Sequence, residues 1–565
     1  MNSKIYKSDS GAQPASAALP LPEKKRSVLP IHPLLFAIFP LLALFAQNVE
    51  KIPFQQIFWP LTMALLGTVV GWLFFLLVTR QVRKAALAAS VVVLLFFSYG
   101  HIVSLLPKGL QWLVIPAFAT GLAGLLFFIW RTRQPLYDTT SVLNLAAFVL
   151  LAPSSWTIAT HIGTTSADTY RTPASGGSDF VSDGQAAATV SRHLSEAPKD
   201  VPDVYYIILD AYGRADRLQT YYGYDNTPFI RALEARGFTI PQHSEANYNH
   251  TPLCLSSALS MNYLEAPRGQ QITPEFLRRK LDDNPVAACL RKQGYHYIYV
   301  ASGLEEVRVK TADLVLNDEP DLSTLEGNLL DLTAFGGMGA HQKRRYDRHR
   351  KRLLGGFTGL EKAAALPYPK FVFAHILAPH PPFVFGANGE AIDPGGPLNL
   401  ADASDLLKEI TKDQYRRGYI AQLQFVNKRA LEAVDAILRQ SKHRPIIILQ
   451  GDHGSRMNLN WESLAKTDLR EPFSILNAYY VPDKVRRDLT NEITPVNSFR
   501  ILLTDVFGAN YPRLPDRNFF STKIDAYDFI DVTERLARLA GASHPTHYAG
   551  TLHPTHYAGT LHPTR

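Results

Sequence analysis

The stretch Ile446-Ile447-Ile448-Leu449-Gln450-Gly451-Asp452-His453-Gly454 combines a run of branched apolar residues with an abrupt polar ending. The apolar run is typical of a buried strand, and its carboxyl end presents a carboxylate and an imidazole, two metal-ligand groups. A second stretch, residues 204–210 (VYYIILD), ends in the same way at Asp210. Open α/β sheets bind their ligands at the carboxyl edge of the strands, so the two endings predict a metal-assisted site at that edge.

Strand-like and helix-like segments alternate from residue 204 onward. Short apolar runs rich in β-branched and aromatic residues predict strands, and longer amphipathic stretches predict helices. Alternation of this kind predicts an α/β domain with a mostly parallel central sheet covered by helices. The predicted strands are 204–209, 295–300, 370–376 and 444–449, and the predicted helices include 227–236, 284–293 and 412–440.

The first 165 residues have a different composition. Hydrophobic residues make up 46% of the 565-residue chain and charged residues 19%, and the apolar excess lies at the amino-terminal end. Since a spanning helix needs roughly 20 apolar residues, uncharged stretches of this length predict a membrane domain. Buried core helices or a cleaved signal peptide are the alternatives, and the close succession of such stretches disfavours both. The five stretches are 27–49, 52–79, 85–107, 109–130 and 139–167, which predicts five transmembrane helices.

The basic residues between these stretches predict the orientation. Lys24, Lys25 and Arg26 precede the first stretch, and further basic residues occupy alternate loops. Basic loops face the cytoplasm, so the amino terminus is predicted to be cytoplasmic and the large domain to lie outside. The expected location is the inner (cytoplasmic) membrane of a bacterium, with a periplasmic or extracellular catalytic domain. Part of the net charge of +8 lies in these loops. It does not indicate a nucleic-acid partner.

Composition also predicts the domain boundaries. The segments are a cytoplasmic tail (1–26), the membrane domain (27–162), a linker rich in Ser, Thr, Ala and Gly (163–200), the catalytic domain (201–540) and a tail (541–565). The tail contains a repeat, HPTHYAGTL, at 544–552 and again at 553–561. Its histidines could bind metal weakly, but repeat expansion in an unstructured tail is the favoured interpretation.

A threonine supplies a candidate nucleophile. In the stretch 247–259 (NYNHTPLCLSSAL), Pro252 suits the first position of a helix and Thr251 suits the N-cap before it. A structural cap is the plain alternative. A hydroxyl held near a divalent cation at a helix N-terminus can attack phosphorus, with backbone amides stabilising the charged oxygens.

The order of Asp210, Thr251 and then Asp452-His453-Gly454 resembles the alkaline phosphatase and sulfatase superfamily. With the membrane spans, the chain is similar to the membrane-anchored lipoteichoic acid synthases, phosphoglycerol transferases and lipid A phosphoethanolamine transferases. The resemblance implies that Asp210, Thr251, Asp452 and His453 bind one divalent cation, Mn²⁺, Mg²⁺ or Zn²⁺. It also implies that Thr251 is the nucleophile.

The resemblance also implies a histidine that contacts the substrate phosphate or protonates the leaving group. His380, in the run 375–383 (HILAPHPPF), is the preferred catalytic candidate. His375 is the other candidate, as a substrate-binding or a structural residue. Arg214 and Arg456 follow the ligand positions and are candidates to bind a phosphate, with surface ion pairs as the alternative.

Together these features predict a membrane phosphotransferase. It would move a phospholipid headgroup, phosphoglycerol or phosphoethanolamine, to a glycan or lipid acceptor through a phospho-threonine intermediate. A phosphodiesterase, phosphatase or sulfatase on the same fold is one alternative, and a degenerate non-enzymatic membrane protein is another. Because Cys254-Leu255-Ser256-Ser257 is not a CxPxR run, formylglycine sulfatase chemistry is disfavoured. The phosphoethanolamine transferases that the chain resembles commonly contain many cysteines, whereas this chain has only two, and this departure shifts weight towards phosphoglycerol transfer. The oligomeric state stays open.

Overall fold

The computed structural model describes residues 28–49, 54–169, 201–266, 271–317, 324–333, 335, 339–394 and 403–541. The chain divides into two compact units, one built from the first 170 residues and the other from most of the remainder. The predicted cytoplasmic tail, residues 170–200 of the predicted linker and the repeats lie outside the described residues.

The first unit is helical. Four of its helices are long and apolar enough to cross a membrane, among the residues described. The prediction of five spans is wrong for the first stretch, whose helix has 15 residues and contains Pro40. At 1.5 Å per residue it is about 22 Å long, short of the roughly 30 Å hydrocarbon core. The last helix continues to Thr169, so residues 163–169 of the predicted linker are helical. The five helices are α1 His32–Ala46, α2 Phe58–Thr79, α3 Val82–Leu105, α4 Val114–Arg131 and α5 Tyr137–Thr169.

The second unit contains strands alternating with helices, as predicted. The strands are β1 Val204–Leu209, β2 His296–Val300, β3 Leu314–Leu316, β4 Lys370–Ile376, β5 Ile446–Gln450, β6 Asn477–Tyr480, β7 Phe519–Phe520 and β8 Ile530–Asp531. The α-helices are α6 Ala215–Arg217, α7 Thr227–Ala235, α8 Thr251–Ser260, α9 Pro274–Asp282, α10 Pro285–Lys292, α11 Thr324–Leu332, α12 Gly339–Ala364, α13 Ala403–Leu406, α14 Lys412–Gln440, α15 Arg470–Phe473, α16 Asp483–Asp488, α17 Pro495–Phe507 and α18 Thr533–Ala540.

Six strands form the main sheet in the order β3-β2-β4-β1-β5-β6. The first five are parallel and β6 is antiparallel at the edge, so the predicted mostly parallel sheet is confirmed. Strand β1 lies between β4 and β5, with Leu209 opposite Ile376 and Ile208 opposite Gln450. This register brings the carboxyl ends of β1, β4 and β5 to the same edge of the sheet.

Each face of the sheet is covered by helices because alternate residues of the buried strands point to opposite sides. Tyr205 and Ile207 of β1 pack in one core with residues of α12 and α14. Tyr206 and Ile208 pack in the other core with α8 and α17, which fixes α8 against the sheet. The helix that begins at Thr251 is therefore held next to the edge where β1 and β5 end.

Candidate metal centre

Two acidic strand endings form the base of the site. Asp210 directly follows β1, and Asp452 and His453 follow β5 after one glycine. Gly451 and Gly454 allow the chain to pass close to its neighbours at this point. A Cβ atom at Gly451 would lie 2.5 Å from the Tyr212 carbonyl oxygen, and one at Gly454 would lie 2.0 Å from that of Glu471. Both glycines are therefore needed for the backbone path that carries the two ligands between them.

The four residues predicted to share one cation are brought together around His453. Its Nε2 atom lies 3.1 Å from Thr251 Oγ1, 3.3 Å from Asp452 Oδ2 and 3.5 Å from Asp210 Oδ1. All four side chains are buried, and Thr251 is the most exposed at 7%. Three of the four ligand atoms thus lie within 3.5 Å of the fourth, His453 Nε2, at the edge of the sheet.

Thr251 differs from its predicted place by one residue. The N-cap is His250, and Thr251 is the first residue of α8, with proline next to it. Its hydroxyl does not cap the helix; it lies within hydrogen-bonding distance of His453. The structural-cap interpretation of Thr251 is therefore wrong, and the hydroxyl faces the carboxylate cluster at the positive end of the helix dipole.

The chemistry of the cluster fits a divalent cation. Ligand atoms of Asp210, Asp452 and His453 lie within 4.8 Å of one another. Asp210 Oδ1 and Asp452 Oδ2 are buried and accept no hydrogen bond from the described residues. His453 Nδ1 donates to the Gly454 carbonyl at 2.8 Å, which leaves the lone pair of the neutral ring on Nε2. Two unpaired carboxylate oxygens, a hydroxyl and an imidazole lone pair suit Mn²⁺, Mg²⁺ or Zn²⁺.

The protonation states agree with this arrangement. Burial, followed by the neighbouring Asp210 charge, raises the pKa of Asp452 to about 7. Burial would also raise the pKa of Asp210. Three histidines have a larger opposite effect and hold that pKa below its usual range: His380 and His453 through electrostatic interaction, and His375 chiefly through its hydrogen bond. Burial and then Arg456 lower the pKa of His453 well below 6.5, so its ring is neutral, as a ligand must be. Without a bound cation, repulsion between Asp210 and Asp452 therefore limits the negative charge that the two carboxylates carry together.

His375, predicted as a substrate-binding or structural residue, lies on β4 and is fully buried. Its Nε2 donates to Asp210 Oδ2 at 3.0 Å, and its Nδ1 lies 2.9 Å from the Ser302 hydroxyl, which can donate to it. Both ring nitrogens are thus used inside the protein, so the structure favours the structural alternative for this residue. His375 orients the Asp210 carboxylate, as outer-shell histidines do around metal sites.

His380, the preferred catalytic candidate, lies beside the carboxyl end of β1. Its backbone N–H donates to the Asp210 carbonyl at 3.1 Å, and its side chain is 7% exposed. Ring atom Nδ1 donates to the Pro381 carbonyl at 2.6 Å. When the ring is neutral, its lone pair is therefore on Nε2. The ring is near enough to influence the pKa values of both Asp210 and His453.

The two arginines predicted to bind phosphate have different surroundings. Arg214 makes a bidentate ion pair with Asp216 and also donates to the Ser244 carbonyl, so these protein groups occupy its guanidinium. Arg456 donates to the Asn249 carbonyl at 2.7 Å, two residues from Thr251. Of the two, Arg456 is the one that the structure places beside the ligand cluster.

Glu471 is a buried residue that the sequence did not single out. Its carboxylate accepts hydrogen bonds from the Ser455 hydroxyl and from the backbone N–H groups of Met457 and Asn458. Burial raises its pKa. This acceptor holds the loop after His453 in place. Glu471 lies 18 positions after His453. The burial of a single glutamate is not visible in sequence, so no sequence signal could have identified this residue.

No protein-family model and no curated protein matches this chain. Solved structures do match at low identity. The C-terminal periplasmic domain of EptC from Escherichia coli, in a complex with Zn, has a TM-score of 0.37 at 13% identity, over 60% of this chain and 94% of that domain.

A second match is an integral membrane protein, lipooligosaccharide phosphoethanolamine transferase A from Neisseria meningitidis, with a TM-score of 0.33 at 13% identity. The alignment covers 83% of this chain and 94% of that protein. A third is a protein in the alkaline phosphatase superfamily from Vibrio parahaemolyticus, with a TM-score of 0.33 at 11% identity, over 60% of this chain and 82% of that protein.

Proposed function

We propose that this protein is a membrane-bound, metal-dependent phosphotransferase that moves a phospholipid headgroup to a hydroxyl acceptor. The observation that carries the proposal is the cluster around His453 Nε2. A threonine hydroxyl and two carboxylate oxygens without protein donors lie within 3.5 Å of this one nitrogen. A cation held by Asp210, Thr251, Asp452 and His453 would supply positive charge that favours the ionised hydroxyl and the phosphate oxygens.

In the proposed first step, Thr251 Oγ1 forms a bond to the phosphorus of a phospholipid, and the bond from phosphorus to the diacylglycerol oxygen breaks. His380 takes the Thr251 proton and gives it to the departing oxygen, so diacylglycerol leaves as an alcohol. The headgroup phosphate stays on Thr251 as a diester. In the second step His380 takes the proton of an acceptor hydroxyl on a glycan or lipid, and the acceptor oxygen bonds to phosphorus. The bond from phosphorus to Thr251 Oγ1 breaks, and His380 gives the proton back to Thr251.

The membrane unit supports a lipid donor. Four helices long enough to span a bilayer precede the α/β unit in the same chain. A chain anchored in this way works where phospholipids are concentrated, which raises the effective concentration of the donor at the site. With a cytoplasmic amino terminus, a bacterial inner membrane and an outside α/β unit, the acceptor would be an envelope glycan or lipid.

Cys254 gives evidence against the sulfatase alternative. Its thiol donates to the Tyr248 carbonyl, and burial raises its pKa well above the usual range. A thiol held in this way faces the core, so it is poorly placed for conversion to a reactive group or for attack on a sulfate ester.

The test is a comparison of Thr251 variants of the full-length protein in phospholipid vesicles with added Mn²⁺, Mg²⁺ or Zn²⁺. Thr251→Val keeps the shape and removes the hydroxyl, and we expect diacylglycerol release to fall by at least about a thousandfold. Thr251→Ser should retain part of the activity. Thr358→Val, an exposed threonine on α12, is the control and should match the wild type.

Mass spectrometry of Thr251 after incubation with lipid should detect the headgroup phosphate. Activity of Thr251→Val at the wild-type level would refute the covalent route. Labelled headgroup released to water at the same rate with and without acceptors would identify a hydrolase instead. A protein that binds none of the three metals stoichiometrically would support the non-enzymatic alternative.

A further inference from the structure

A second group of polar atoms lies beside Thr251 and is not used in the chemistry above. The group consists of Arg456, Trp461 and Ser521, which we call the headgroup cluster. Their exposed fractions are 7%, 7% and 0%. Each carries a buried polar atom without a hydrogen-bond partner among the described residues: Nε of the arginine, Nε1 of the tryptophan and Oγ of the serine.

Contacts with two residues before the nucleophile place the cluster next to the site. The Ser521 backbone makes two hydrogen bonds with the Asn249 side chain: its N–H donates to Asn249 Oδ1 at 3.0 Å, and its carbonyl oxygen accepts from Asn249 Nδ2 at 2.9 Å. Arg456 donates to the Asn249 carbonyl, and the Trp461 ring lies 4.5 Å from the His250 ring. The three residues therefore all contact the dipeptide that leads directly into Thr251.

The members also contact one another. The Arg456 guanidinium carbon lies 5.1 Å from the centre of the Trp461 ring, a cation–π contact that holds both side chains. Trp461 is held further by its carbonyl, which accepts the Lys523 N–H at 3.0 Å. A fixed pair of buried donors lacking acceptors is costly unless a ligand provides them.

The chemistry of the cluster selects a ligand rich in oxygen. Guanidinium and indole N–H groups only donate hydrogen bonds, whereas a serine hydroxyl both donates and accepts. Hydroxyl groups satisfy all three, since they accept from the arginine and the indole and both donate to and accept from the serine. An ammonium group satisfies neither of the two donor-only groups and would be repelled by Arg456.

We infer that the headgroup cluster is a specificity subsite that selects a donor headgroup bearing hydroxyls, of the glycerol type, over one bearing a cationic amine. The inference rests on the proposed function, since the group selected is the one that Thr251 would receive. Arg456 and Trp461 hold headgroup oxygens on one side of the phosphorus, and Ser521 bonds a hydroxyl of the same headgroup.

The test uses full-length, metal-loaded protein and three substrates: phosphatidylglycerol, phosphatidylethanolamine with the same acyl chains, and bis(4-nitrophenyl) phosphate. The aryl diester lacks hydroxyls and amines, so it reports the phosphoryl chemistry alone. We expect the wild type to favour phosphatidylglycerol in kcat/KM by at least about tenfold, because the unfavoured headgroup leaves buried donors unpaired.

Two conservative variants distinguish the loss of a subsite contact from a general loss of folding. Trp461→Phe keeps the ring and removes the N–H, and Ser521→Ala removes one oxygen. Each should lower kcat/KM for phosphatidylglycerol by about 5- to 100-fold, mainly through KM. Turnover of the other two substrates should stay within about twofold. Ser441→Ala, at the end of α14, is the matched control and should change none of the three.

Equal use of both lipids by the wild type, or equal losses on all three substrates in both variants, would overturn the subsite and leave the proposed chemistry intact. A second kind of result would refute the subsite and the proposed function together. If metal-loaded wild type turns over neither the lipids nor the aryl diester, or if Thr251→Val turns them over normally, the phosphotransferase itself is refuted.

Discussion

The loop that carries His453 and Arg456 depends on one buried carboxylate, Glu471. Its Oε1 accepts hydrogen bonds from Ser455, Met457 and Tyr222, at 2.9, 3.0 and 3.0 Å, and its Oε2 accepts the Asn458 N–H at 2.7 Å. The residue is fully buried, so water cannot replace these partners.

Glu471→Ala would leave two backbone N–H groups and two hydroxyls without an acceptor. The hydroxyls can rotate to other partners, but the N–H groups cannot. At about 1–3 kcal/mol for each buried unpaired donor, the unfolding free energy should fall by about 4 kcal/mol. Glu471→Gln keeps one oxygen for three donors and places an amide N–H₂ towards Asn458. Its expected cost is about 1–2 kcal/mol.

The assay is thermal unfolding of the full-length protein in detergent, followed by circular dichroism, with kcat/KM on the aryl diester measured alongside. We expect the order wild type, Gln, Ala in both stability and activity, since the same loop positions His453 and Arg456. Glu534→Ala removes an exposed carboxylate and should change stability by less than about 1 kcal/mol. Equal stability of Glu471→Ala and the wild type would refute the claim that this carboxylate holds the loop.

Three further predictions concern pH, backbone space and the metal. Burial raises the pKa of Glu245 to about 7 from 4.5, so the folded state binds more protons between these values and stability should fall by at most about 3 kcal/mol as pH rises through them. Glu245→Gln should flatten that dependence in unfolding measured from pH 4 to pH 8, and an unchanged slope would contradict the assignment. Gly454→Ala should lower both stability and turnover, because its methyl group would lie 2.0 Å from a carbonyl oxygen. Gly213→Ala meets its nearest atom at 3.4 Å and should be milder in the same melting and activity assays. His375→Gln should weaken metal binding by about 10- to 100-fold in a competition titration because it loosens Asp210, and an affinity equal to the wild type would show that Asp210 needs no such support.

Much of the fold was predictable because its strands are short, apolar and bounded by turn residues. The predicted strands at 204–209 and 370–376 match the structure residue for residue, and the long helix predicted within 412–440 extends over that whole range. The first membrane stretch was mispredicted because composition counts uncharged residues, whereas spanning depends on the length of the helix itself. That helix has only 15 residues.

The candidate site was predictable in part. Asp210 and Asp452-His453 stand at strand ends, and parallel strands place such residues at one edge whatever the rest of the chain does. The exact neighbours of each side chain were not predictable. Arg214 and Arg456 each follow a ligand position, but the first bonds Asp216 and the second lies against Trp461. These choices depend on how loops distant in sequence pack.

The sequence by itself determined the strands, the apolar helices and the residue types at the ends of the strands, because hydrophobic periodicity and turn residues act over a few positions. Only the tertiary structure decided that Thr251 faces His453, which is 202 positions away along the chain, and that His375 donates to Asp210. The reason is physical: a side chain's partner is set by which elements pack together, and packing depends on the sum of many contacts that no single stretch of sequence contains.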